Sequence, residues 1–376
     1  MIMSDPRWSD ETLDAFRMVG DPPADRAVEE VFATGSVAEV NRLMRTLVRN
    51  DMPPPGDLPT ALYHYFETTD DLPEWADLDA IARSQEFFMR NGLLGILIFS
   101  SYSLPICYAA ARGVKVIYET ARLYSDPHRR VLETSQMLLD VMAPGGLERS
   151  GAGVRTVQKV RLMHAAVRNL LLQRGWDSTS LGVPINQEDL VGTLNSFDFC
   201  YIDGLTKLNV PVSTRQADDY VHTWNVIGHM MGVQRPLHPR DMDEATYLSE
   251  RINQRHFAHS PEGQAMQEAL TAYLRNILPG KVFDGFPIAL TRLFIGEERA
   301  NIIGMPHSDW TQVALGPLRL VNGMLIGDVD QEAPLLARAA SHFGQKILDN
   351  LLASERGGER IEFHIPKTLR KAWKVK

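Results

Sequence analysis

Four residues on two neighbouring segments carry the chemistry that this chain could do. Arg130, Glu133 and Thr134 lie in HRRVLETSQMLLDVM, and His164 lies in VRTVQKVRLMHAAVRNLLLQR. In the second segment the apolar residues Val157, Val160, Met163, Val167, Leu170 and Leu171 have the spacing of an amphipathic helix. Positions 157, 160, 164, 167 and 171 share one face, which turns an imidazole toward an apolar interior. Such a histidine is either a hydrogen-bonded core residue or a neutral nitrogen donor to a metal. Arg155, Lys159, Arg161, Arg168 and Arg174 fall mostly to the sides of that stripe. On the preceding helix Arg130, Glu133 and Thr134 share one turn. Taken alone, Arg130 and Glu133 read as a surface ion pair worth little.

The other donors offer less. His222 and His229 are seven residues apart on one predicted helix, about 10.5 Å along its axis. One metal ion cannot join both, and the HExxH type of zinc site is excluded. They read as packed, hydrogen-bonded histidines. The two cysteines, Cys107 and Cys200, have no CxxC spacing and offer neither a disulfide framework nor a thiolate metal site. The loop GLERSGAGV is glycine-rich, but it has no GxGxxG after a strand and no GK[ST], so it is not a phosphate cradle.

The elements that must position these residues are helices. Ser36 is placed to cap a helix over VAEVNRLMRTLVRN, which the prolines of DMPPPGDLP then end. Further helical patterns cover about 78–88, 114–142 with a break at Asp126-Pro127, 186–208, 215–233, 243–258, 261–278 and 287–304. A final pair spans about 315–322 and 332–352, before a basic tail. No series of period-two strands appears, and the fold class is all-α, one large helical domain. It divides into an N-terminal helical extension (1–60), a helical core (61–310) and C-terminal helices with the basic tail (311–376). Between Arg90 and Arg112 no charged residue occurs. The serines and Pro105 in this run favour a buried, proline-broken helix pair over a membrane span. A formal net charge of −8 argues against general nucleic-acid binding. The acidic amino terminus has no apolar signal core, so the expected location is cytoplasmic and membrane contact is not expected.

Taken together, SLPICY (103–108), RRVLETSQ (129–136), VRLMHAAVR (160–168), HTWNVIGHMMGV (222–233) and LTRLFIGEERANIIGMP (290–306) resemble the family of b-type haem proteins that includes the latex-clearing rubber oxygenases and the MpaB-type oxygenases. The likeness covers roughly residues 30 to 310. It implies a haem b held in a globin-like helical core, with His164 as the proximal iron ligand and Arg130 and Thr134 as retained neighbours of the haem. His222 and His229 match histidines of the latex-clearing group to which no chemistry is assigned. The rubber oxygenases carry a lysine just before the threonine, able to occupy the distal iron position. Glu133 stands there instead, which argues against a lysine-capped state and against rubber as substrate.

The expected activity is that of a haem-dependent oxygenase or related oxidoreductase acting with dioxygen on a small apolar, unsaturated or lipid-like molecule, with an electron donor as a further candidate partner. Arg130, Glu133 and Thr134 are its candidate catalytic residues. Arg161 and Arg168 are placed to meet the haem propionates, and Arg130 either joins them or orients bound oxygen. Two alternatives stay open: a haem-binding sensor or carrier without turnover, and a helical interaction protein without a cofactor.

Overall fold

A computed structural model of the chain describes residues 5–120, 127–277 and 285–308. Among them every regular element is helical, and the one β-type pairing is an isolated bridge between Ala110 and Phe257. The predicted C-terminal pair and the basic tail lie outside the described residues.

The 21-residue His164 helix, Gly153–Gln173, is the axis on which the rest is assembled. Fifteen of its residues are buried, so it has no solvated side of the kind an amphipathic surface helix keeps. Val157, Val160 and Met163 join the main apolar cluster. Leu162, Ala165 and Ala166 join a second cluster with Ala24, Ala27, Val28 and Val31 of the helix Pro22–Ala33. The small side chains on both helices let their backbones approach closely. Val167 and Leu171 pack on Val116. The segment expected to be an extension therefore shares a core with the central helix.

The loop from Ala143 to Ala152 turns the chain from the helix Pro127–Met142 into the His164 helix, and its glycines serve closure. A Cβ at Gly151 would lie 2.3 Å from the carbonyl oxygen of Gly146, and one at Gly146 would lie 2.3 Å from that of Asp140. Asn50 clamps the loop by donating to the carbonyls of Gly146 (3.0 Å) and Glu148 (2.5 Å). Asp140 ties the two helices together, accepting from Thr156 at 2.6 Å and from Gln136 at 2.9 Å.

The uncharged run folds as Gly92–Ile98, a π-helical turn over Phe99–Ser103, and Leu104–Ala109. Pro105 has no N–H to give the preceding turn, and the wider turn absorbs that loss. Leu97, Ile98, Tyr102 and Tyr108 are almost completely buried. Among the described residues no single helix is long and apolar enough to cross a membrane, although the bent pair Leu78–Arg90 and Leu94–Ala109 passes on length and composition together.

Several boundaries differ from the sequence expectation. The helix after Ser36 covers only Val37–Met44, and Ser36 makes no cap bond, its hydroxyl pairing instead with Thr34 at 2.7 Å. The block predicted over 186–208 is two helices, Gln187–Phe197 and Phe199–Lys207, broken at Asp198. That carboxylate caps the second helix through the Phe199 N–H.

Candidate functional site

Between the His164 helix, the helix Pro127–Met142, the π-turn segment and the helices Gln187–Phe197 and Thr214–Met230 lies a cavity of about 630 Å³. Its walls are mostly apolar, and its volume falls within the roughly 300–1,000 Å³ of small-molecule and cofactor sites. His164 lines it with Val160, Met163 and Val167 from its own helix. Phe99, Phe197 and Trp224 contribute aromatic surface from other elements. The π turn places Ser100 and Ser103 in the same wall, and Ser103 is held there by its bond to the Ser196 carbonyl.

Glu133 and Thr134 also line the cavity. Glu133 is only 4% exposed, which corrects its expected position at the surface. It faces the cavity from its helix, a burial that spacing alone does not report. The structure thus brings His164, Glu133 and Thr134 to one space. The Arg130 side chain lies outside the described residues.

Arg161 and Arg168, expected beside the propionates, are not among the residues that line the cavity. Arg161, 8% exposed, grips Asp21 bidentately at 2.6 and 2.8 Å and donates to the Met230 carbonyl at 3.2 Å. Arg168, 2% exposed, is paired with Asp25 and donates to the carbonyls of Pro184 and Ile185, each at 3.0 Å. Both guanidiniums are occupied in fastening the N-terminal arm.

His222 and His229 lie elsewhere, each edge-to-face with Trp75 at 5.8 Å, as His238 is. His222 accepts from the Asp77 N–H at 2.9 Å. His229 makes its packing contact from an exposed position. Partial desolvation lowers the pKa of both, with Arg161 and Arg235 adding to it at His229 and Arg235 at His222, and burial with Arg235 lowers that of His238 to about 4. Among the described residues no group of three or more His, Cys, Asp or Glu could hold a metal ion.

A second polar group on the cavity wall was not read from the sequence. Glu188, Asp189, Asn253 and His256 line the cavity too. His256 Nε2 is 2.9 Å from Glu188 Oε2, Arg255 donates to Glu188 at 2.7 Å, and Arg17 donates to Asp189 at 2.9 Å and Glu188 at 3.2 Å. No local spacing signals this cluster, because Arg17 and Glu188 are 171 residues apart. Burial acts to raise the Glu188 pKa, but His256 and Arg255 outweigh it and hold the group at about 2, below its ordinary 4.5. Burial raises that of Asp189 against the pull of Arg17. A depressed folded pKa gives stability that is present above the unfolded value and lost as pH falls through the folded one. Unfolding free energy is therefore expected to drop between about pH 4.5 and pH 2 in the wild type. Denaturant titrations across that window should show a shallower drop in Glu188→Gln; an unchanged slope would contradict the assignment.

Three comparisons bear on the cavity. The family model described as "ER-bound oxygenase mpaB/B'/Rubber oxygenase, catalytic domain" matches residues 92–324. A rubber oxygenase from Streptomyces sp. (strain K30) is 30% identical over 292 residues, which is 76% of this chain and 71% of that protein. A solved structure of latex clearing protein in the closed state superposes with a TM-score of 0.79 at 27% identity, covering 93% of this chain and 95% of that one.

Proposed function

This chain belongs to the mpaB and rubber oxygenase catalytic-domain family, and from that premise we propose that it is a haem b-dependent oxygenase with His164 as the proximal iron ligand. The observation that carries the reading is the His164 imidazole on the wall of a largely apolar cavity of about 630 Å³, set among Val160, Met163 and Val167, while the other lining imidazole, His256, is engaged by Glu188. The donor chemistry fits the group: a neutral imidazole is a good ligand to porphyrin iron, and one such ligand leaves the opposite face open. A porphyrin brings its other four donors with it, so no cluster of protein ligands is required.

In this reading His164 binds the metal, while Val160, Met163 and Val167 exclude water and pack against a flat apolar ring. Arg90, at the exposed rim, is the guanidinium among the described lining residues, and it takes the propionate role first expected of Arg161 and Arg168. Haem, when bound, supplies the oxygen chemistry. Thr134 contributes a hydroxyl that can donate one hydrogen bond, and Glu133 contributes a carboxyl group able to hold a proton. Arg130 enters from the family resemblance alone, as a further polar neighbour. The substrate is a small apolar molecule, unsaturated or lipid-like, matched to the cavity's apolar wall.

Oxygen consumption separates this reading from a sensor or carrier. Hemin-loaded protein is expected to sustain oxygen uptake when given an apolar alkene such as squalene together with a lipid series. Reversible oxygen binding with no substrate-dependent uptake across that series would overturn the oxygenase and favour the carrier.

A further inference from the structure

The cavity that holds His164 has a second chemically distinct wall. We propose that His256, backed by Glu188, receives the hydroxyl head of an amphiphilic substrate whose apolar chain lies along the rest of the cavity. The proposal rests on reading the cavity as substrate space, but it does not depend on the identity of the cofactor.

Four observations carry it. His256 is 4% exposed and lines the cavity, as do Glu188 and Asn253, which are 0% and 7% exposed. Its Nε2 is 2.9 Å from the Glu188 carboxylate, closer than the Arg17 Nη1 at 3.4 Å, and an ionised carboxylate can only accept, so the proton of a neutral ring sits on Nε2. The other ring nitrogen, Nδ1, is buried and has no hydrogen-bond partner. A buried polar atom without a partner is destabilising, and a ligand's donor would relieve that. Finally, both carboxylates of the cluster are already met by guanidiniums, Glu188 by Arg17 and Arg255 and Asp189 by Arg17.

These facts choose the chemical class. A lone-pair acceptor demands a donor, which excludes ethers, esters and carboxylates as the head group. Carboxylates already paired with guanidiniums make no call for a further cation, which disfavours an ammonium. A neutral alcohol meets both conditions. The imidazole is oriented by Glu188 in the way that a carboxylate fixes a histidine's tautomer in many polar sites, leaving the opposite nitrogen for the ligand. His256 is in this sense a specificity-determining residue, and Glu188 is a positioning residue acting through it.

The test is calorimetric binding of 1-decanol and of decyl methyl ether to the full-length protein, with and without hemin. The two probes share an apolar chain and a head oxygen, but only the alcohol donates. One hydrogen bond to a buried acceptor corresponds to about a three- to tenfold preference for the alcohol. In His256→Leu that preference is expected to fall to about one while affinity for the ether persists, a split that general loss of structure would not give. If the variant does not fold, the wild-type comparison still decides. Equal affinity for alcohol and ether, or no binding of either, overturns the proposal. Hemin uptake without alcohol preference removes this inference alone, and alcohol preference without hemin uptake removes the haem reading alone.

Discussion

His164→Ala is expected to lower hemin affinity by about 100-fold or more, since removing even an outer partner of a metal ligand costs roughly 10–100-fold. The protein should otherwise stay intact. His164 is half-buried, its side chain faces a cavity rather than a packed seam, and alanine is the best residue for continuing a helix. Circular dichroism and the thermal midpoint should therefore change little while the Soret band of the reconstituted protein disappears or shifts. Added imidazole, diffusing into the space left by the side chain, should restore part of the band. A Soret band identical to wild type in this variant would remove His164 from the iron.

The second large effect is on stability and falls on the N-terminal arm. Asp21→Ala leaves the Arg161 guanidinium, 8% exposed, without its bidentate carboxylate. Breaking one side of a buried pair costs about 3–5 kcal/mol, because the remaining charge stays desolvated. Urea denaturation should show that loss. The double variant Asp21→Ala/Arg161→Met should recover much of it, since replacing both partners by apolar groups is often close to neutral. The same pair of variants separates a fastening role from a cofactor role. Arg161→Met is expected to keep hemin affinity, and a folded Arg161→Met protein that no longer takes up hemin would return this arginine to the propionates.

Much of the site was legible in the chain because it is local. The apolar spacing from Val157 to Leu171 is the signature of one helix, and a histidine within that stripe has to face what the stripe faces. The all-α class and the family followed from segments whose order and residues are distinctive. What spacing could not report is what covers the other sides of a helix. Arg161 and Arg168 looked available because a helical pattern places them beside the stripe. The carboxylates that occupy them, Asp21 and Asp25, are 140 and 143 residues away. Glu133 looked exposed for the same reason, although it is buried on the cavity wall. The His256–Glu188 pair lies further still from any sequence signal. It joins the helices Met242–His256 and Gln187–Phe197, and nothing in either segment marks a ligand. His222 and His229, conspicuous as a seven-residue repeat, instead pack around Trp75.

The central claim is that His164 holds a haem b, and the pyridine haemochrome spectrum of the purified, hemin-reconstituted chain tests it most directly. The account predicts the haem b spectrum at one haem per chain, with that stoichiometry lost in His164→Ala. A wild-type chain that retains no haem after removal of excess hemin, or one that retains it equally with and without His164, would contradict the claim.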